Sequence, residues 1–107
     1  MSTYRIINDD RMKLLKKLKS NSVQLIITSP PYNIGKSYEK KIPLDDYIEE
    51  QKKTLIECFR VLKKRGSICW QVGNYIKNIN EIIPLDIVVY NICINLGLKL
   101  RNRIIWH

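Results

Sequence analysis

Apolar residues recur along this chain in runs whose period changes, and the changes mark the elements. Tyr4 to Asn8 is a short strand-like run. Asp9 or Asp10 can cap a helix from Arg11 to about Lys19, in which Met12, Leu15 and Leu18 form an apolar stripe. After the Ser20-Asn21-Ser22 turn, Val23 to Thr28 is apolar almost throughout, the pattern of a parallel strand covered on both faces. Ser29 to Pro43 holds Pro30, Pro31, Gly35 and Pro43, has no period, and predicts a long loop. Asp46 and Glu49 make a capping-box-like start for a helix reaching Lys64, with Ile48, Leu55, Phe59 and Leu62 on one face and Gly66 as its C-terminal cap. Ser67 to Val72 alternates as a strand that Gly73-Asn74 ends. Pro84 opens a helix to Leu96, Gly97 closes it, and Leu98 to Trp106 predicts a strand joining the same sheet. The expected architecture is a three-layer α/β piece with parallel strands near 4–8, 23–28 and 67–72 and helices near 11–19, 46–64 and 84–96.

The helix over 84–96 is apolar nearly all round, so a domain of 107 residues leaves much of it uncovered. The chain stops at His107 directly on a strand pattern. Together these features imply a fragment or half of an assembly, with a homodimer burying the same surface as the alternative, and the chain alone is expected to self-associate.

Composition narrows the class. Apolar residues at 45% and charged residues at 27% exclude a chain disordered in bulk. Nineteen Lys and Arg against ten Asp and Glu give +9 and a pI near 9.6. That balance suits a phosphate-rich partner, although abundant Lys, Ile and Asn give a purely compositional origin an equal claim. Cys58, Cys69 and Cys93 lie far apart within apolar patterns, so they read as buried reduced thiols of a cytoplasmic protein, with no metal site. The N-terminus lacks a secretory signal layout, and Ile82 to Leu98 is too short and too interrupted to span a bilayer.

The chemically informative stretch is Thr28-Ser29-Pro30-Pro31-Tyr32-Asn33, at the carboxyl end of the predicted parallel strand, where open α/β sheets place their ligands. Two prolines fix φ and push Ser29 and Pro30 into extended conformations, giving a rigid turn that offers carbonyl oxygens outward. An exocyclic amino group on adenine or cytosine is a poor nucleophile because its lone pair is delocalised into the ring. A catalyst must hold its hydrogens in a geometry favouring tetrahedral nitrogen, and the Ser29 hydroxyl and Pro30 carbonyl can both accept them. Tyr32 offers a face on which an extruded base can stack. A proline-rich surface turn with Tyr32 packed down is the equally weighted structural alternative on these residues alone.

Ser-Pro-Pro-Tyr after an apolar strand resembles motif IV of the DNA amino methyltransferases, which use S-adenosyl-L-methionine to methylate adenine N6 or cytosine N4. The resemblance extends over essentially the whole chain. Tyr4 to Asp9, the Leu/Lys helix and Ser22 to Thr28 are similar to the lead-in of the subgroup with motif IV near its N-terminus. Asn33-Ile34-Gly35-Lys36, Tyr38, Arg60 to Lys63, Gly66 to Asn74, and Leu96 to Trp106 follow in the family's order. The resemblance implies a partial Rossmann-like, S-adenosylmethionine-dependent methyltransferase sheet. It also implies catalytic and target-base roles for Ser29, Pro30 and Tyr32, a weaker cofactor contact at Asp9, and double-stranded DNA as partner. Asp9 has a competing reading as an exposed helix cap. Lys36, Lys40 and Lys41 can bind phosphates, though solvated loop lysines are commoner. Serine at the first motif position leans slightly towards cytosine.

The sequence departs from the family at the cofactor. Family members carry a Phe-x-Gly-x-Gly-like loop for the cofactor's methionine portion, whereas Gly35, Gly66, Gly73 and Gly97 have no two members closer than seven positions. Residues 1–107 are therefore expected to be the N-terminal, catalytic-loop half of a methyltransferase domain, binding the cofactor weakly or not at all and inactive alone. A second polypeptide supplying the cofactor and recognition motifs would make it one chain of a split enzyme. A non-catalytic basic module that binds nucleic acid or another partner is the alternative.

Overall fold

The computed structural model of the chain describes residues 3–30 and 42–105. Its elements in chain order are α1 (Arg11–Lys17), β1 (Val23–Thr28), α2 (Leu44–Val61), β2 (Leu62–Trp70), β3 (Asn74–Asn78), β4 (Glu81–Pro84) and α3 (Leu85–Leu96). β1 and β2 form a parallel pair joined through α2, and β3 and β4 form a separate antiparallel pair. The result is a mixed α/β arrangement with a short parallel pair and flanking helices.

α2 is the organising element and packs against both α1 and α3. Its buried residues Tyr47, Gln51, Thr54, Leu55, Cys58 and Val61 recur at helical spacing and line one face. That face differs from the expected stripe: Leu55 is fully buried, but Phe59 is 39% exposed and Gln51 and Thr54 lie inside. Thr54 belongs there because its hydroxyl is satisfied, donating to the Glu50 carbonyl at 3.1 Å and accepting from Arg11 Nε at 3.1 Å. Leu62 at the start of β2, and Leu85 and Ile92 of α3, complete the apolar core. Burial of each large aliphatic side chain contributes about 1.5–3 kcal/mol.

Helix ends follow local chemistry at most positions. Asp10 caps α1 by accepting from the Met12 and Lys13 amides at 3.0 and 3.2 Å. Arg60 of α2 ties down the other end: Nη2 donates to the Leu15 carbonyl at 2.7 Å, and Nη1 donates to the Leu18 carbonyl and Ser20 Oγ, both at 3.0 Å. α2 starts earlier than the capping-box pattern indicates, at Leu44, with Pro43 in the cap position and no side-chain cap. Proline needs no donor there, and Asp45 and Asp46 complement the helix dipole instead. α3 runs from Leu85 to Leu96 as expected, and Gly97 closes it at φ 100°.

Several expectations are overturned. Gly66 is not a helix cap; it lies in β2, where an added Cβ would stand 2.8 Å from the Gln24 carbonyl oxygen. The helix instead passes into β2 at Leu62, whose amide bonds to the Cys58 and Phe59 carbonyls. Residues 4–8 and 98–105 form no strand, because they have no strand neighbour among the described residues to satisfy a ladder. Ile6 and Ile104 are both 89% exposed. Residues 74–84 form a hairpin for which the sequence pattern predicts no element, its turn held by the Asn80 amide donating to Asn78 Oδ1 at 2.9 Å.

β1 is not covered on both faces. Ile26 and Thr28 are half-buried, whereas Leu25 and Ile27 are 51% and 71% exposed, so alternate positions of the strand fall on one partly covered face and one open face. The placement of the following turn therefore rests on the β1–β2 pairing and not on burial between layers. Of the cysteines, Cys58 is buried, Cys93 is intermediate and Cys69 is exposed, so the expectation of three buried thiols fails at Cys69, while all three are free.

Candidate functional site

The parallel pairing brings Thr28 opposite Trp70 at the carboxyl ends of β1 and β2. The ladder extends one step further, with the Gln71 amide donating to the Thr28 carbonyl at 3.0 Å. Ser29 follows directly, and its hydroxyl donates to Gln71 Oε1 at 2.9 Å. With its proton committed to Gln71, Ser29 Oγ has lone pairs left to accept from a ligand. Ser29 is exposed and Pro30 half-buried.

Gln71 was not singled out by the sequence. Its only signal was position, just past the second parallel strand as Ser29 is just past the first, and that becomes informative only once the register is known. In the preceding residue, the Trp70 indole Nε1 is buried and makes no hydrogen bond among the described residues.

Tyr32, Lys36, Lys40 and Lys41 lie outside the described residues, as do Trp106 and His107. Asp9 is described and its contacts are local: Oδ1 accepts from the Asp10 amide at 2.7 Å and Oδ2 pairs with Lys17 Nζ at 3.6 Å. Neither contact reaches Ser29 or Pro30. Thus the structure brings Ser29 together with Gln71 and leaves Asp9 engaged at the start of α1.

Burial pushes the Cys58 thiol up to about 11, with Arg11 pulling it down and Cys93 and Glu57 adding to the rise. Burial also raises Cys93. Both are poor nucleophiles at neutral pH. Among the described residues no cluster of three or more His, Cys, Asp or Glu is placed to hold a metal ion, and no helix is long and apolar enough to cross a membrane.

Residues 23–107 match the family model described as DNA methylase, beginning at the first residue of β1. The chain belongs to the DNA methylase family. It is 46% identical over 102 residues to the Type II methyltransferase M.BglII of Bacillus subtilis, an alignment covering 95% of this chain and 28% of that protein. It is 38% identical over 105 residues to the DNA adenine methyltransferase YhdJ of Escherichia coli K12, covering 94% of this chain and 32% of that protein. With the Type II methyltransferase M.MjaVI of Methanocaldococcus jannaschii the identity is 34% over 105 residues, covering 95% and 53%. The chain thus spans from about a quarter to about half the length of these relatives. These matches support the resemblance drawn from the Ser-Pro-Pro-Tyr stretch and its flanks.

Proposed function

We propose that this chain supplies the amino-group-holding turn of a DNA amino methyltransferase that acts on cytosine N4 or adenine N6 in double-stranded DNA. The observation that carries this reading is the Ser29 hydroxyl, fixed at a parallel strand end by Gln71 with its lone pairs unspent. One amino hydrogen of an extruded base goes to Ser29 Oγ and the other to the Pro30 carbonyl, with Tyr32 stacking on the base. As the nitrogen becomes tetrahedral and gains positive charge, both acceptors tighten. Hydrogen bonds to a charged group are worth about 1.5–3 kcal/mol each, roughly 10- to 150-fold in rate.

Family membership implies S-adenosyl-L-methionine as methyl donor, but these residues do not form its cradle. Gly66 is taken up by the close approach to Gln24 and Gly97 by the end of α3, and no two glycines lie close enough for a glycine loop. Asp9 is already bonded to Asp10 and Lys17, leaving little support for a cofactor contact there. We therefore assign residues 1–107 to the catalytic-loop half of a Rossmann-like methyltransferase domain. The cofactor loop and recognition region come from additional polypeptide, in the same chain or a second one. Exposed Leu25 and Ile27 on β1 and Ile87, Tyr90 and Ile94 on α3 are the surfaces that such polypeptide, or a second copy, would cover.

Trans-complementation tests this reading. The 107-residue chain alone should transfer no radiolabelled methyl group from S-adenosylmethionine to DNA. Adding the part of M.BglII that lies outside the matched segment, as a separate polypeptide, should restore transfer. Transfer by the chain alone, abolished by Ser29→Ala, would contradict it.

A further inference from the structure

Ser29 and Gln71 stand side by side just past the paired ends of β1 and β2. Thr28 faces Trp70, and the Gln71 amide donating to the Thr28 carbonyl at 3.0 Å carries the register one position further and fixes the Gln71 backbone there. Both side chains are exposed, as are Ile27 and Cys69 two residues before them, so the pair lies on the open side of the two strands.

The Ser29 hydroxyl donates to Gln71 Oε1 at 2.9 Å, and that bond orients the carboxamide. A carboxamide carries its donor one carbon away from its acceptor. With Oε1 turned to Ser29, Nε2 and its hydrogens are held beside the same hydroxyl, and Nε2 forms no hydrogen bond among the described residues. An acceptor, Ser29 Oγ, and an unspent donor, Gln71 Nε2, are thus presented together at the strand ends.

The edge of an extruded cytosine or adenine has the complementary layout. Its amino group lies one carbon away from a ring nitrogen with an unshared pair, N3 in cytosine and N1 in adenine. We propose that Gln71 is a specificity-determining residue whose Nε2 donates to that ring nitrogen while Ser29 Oγ accepts from the amino group. The assignment rests on the proposed amino-holding role of Ser29 and adds the neighbouring atom of the base. Three hydrogen bonds then run head to tail: Ser29 O–H to Gln71 Oε1, Gln71 N–H to the ring nitrogen, and amino N–H to Ser29 Oγ. Each partner gives one proton and accepts one. Guanine and thymine carry a carbonyl oxygen and a ring N–H at the corresponding positions. Against them the Ser29 lone pairs meet an oxygen and the Gln71 N–H meets another N–H, so both contacts to the base fail together. Donation from Ser29 to the amide oxygen sets this preference, because an amide turned end for end would present Oε1 to the ring nitrogen.

The test is titration of the isotope-labelled 107-residue chain with nucleosides, read by NMR at the Ser29 backbone amide for affinity and at the Gln71 side-chain amide for the contact. The Gln71 side-chain signal is assigned by its loss in Gln71→Met. Cytidine and adenosine should bind and move that signal. Their analogues 3-deazacytidine and 1-deazaadenosine keep the amino group but carry C–H in place of the ring nitrogen. They should bind about 2- to 12-fold more weakly, the worth of one hydrogen bond, and leave the signal in place. Gln71→Met keeps the length of the side chain without its polar atoms and should bind each nucleoside and its analogue alike. Equal affinity of the wild type for both members of each pair, with both weakened by Ser29→Ala, would overturn the role of Gln71 and leave that of Ser29 standing. Discrimination that persists in Gln71→Met would assign the ring nitrogen to another donor and overturn it too. Affinity untouched by Ser29→Ala, or no binding of any nucleoside, would contradict the base-holding turn itself and this proposal with it.

Discussion

Replacing Gly66 by alanine places a methyl group where the β1–β2 pair has no room. The added Cβ would meet the Gln24 carbonyl oxygen at 2.8 Å and Leu62 at 2.7 Å from Cδ1 and 2.8 Å from Cγ. Leu62 cannot swing aside freely, because it is 5% exposed and belongs to the core. The Gln24 oxygen is backbone and can move only with the strand. Overpacking of this kind costs about 1–3 kcal/mol, and we expect the upper half of that range because one of the clashing groups is main chain. In urea denaturation followed by circular dichroism, the midpoint should fall with an unchanged m-value. Gly97→Ala makes an internal comparison: it meets no atom within 4 Å and is opposed only by φ 100°, so it should cost about 1 kcal/mol. A loss at Gly66 below about 0.5 kcal/mol, the range of ordinary surface substitutions, would refute the close approach.

Arg60→Ala removes three hydrogen bonds that hold the end of α1, and at 32% side-chain exposure it should cost about 1.5–3 kcal/mol by the same denaturation measurement. Arg60→Lys should recover only part, since an ammonium cannot fork between the Leu15 and Leu18 carbonyls. For Cys58, the folded state favours the neutral thiol, so its stabilisation is fully present below the unfolded value of 9.0 and is lost as pH rises through about 11. Stability measured across pH 8 to 11 should fall in the wild type and fall less in Cys58→Ala. At neutral pH a thiol reagent should label exposed Cys69 first and Cys58 only on unfolding.

What could be read from the sequence was what local chemistry decides. Pro84 and Gly97 mark the limits of α3, Asp10 caps α1, and the apolar run of β1 places Ser29 at a strand end, all without knowledge of distant neighbours. What could not be read depends on pairing. The runs at 4–8 and 98–105 have strand composition, but a strand exists only where a neighbour satisfies its ladder. Gly66 follows a helix pattern and carries a cap's signature locally, yet its reason is the approach to Gln24, forty-two positions earlier. Gln71 likewise becomes legible only when the register places Thr28 beside Trp70. The buried face of α2 departs from the apolar stripe because it includes Thr54, whose hydroxyl is satisfied by Arg11 and the Glu50 carbonyl, and Gln51, and hydrophobicity encodes neither.

The central claim is that Ser29 Oγ accepts a hydrogen of the target amino group, and single-turnover methyl transfer tests it most directly. In the complemented enzyme saturated with DNA and S-adenosylmethionine, Ser29→Ala should slow the transfer step about 10- to 150-fold while leaving DNA affinity unchanged. Gln71→Ala, which frees the hydroxyl without removing it, should slow it by less. A transfer rate in Ser29→Ala equal to that of the wild type would contradict the account.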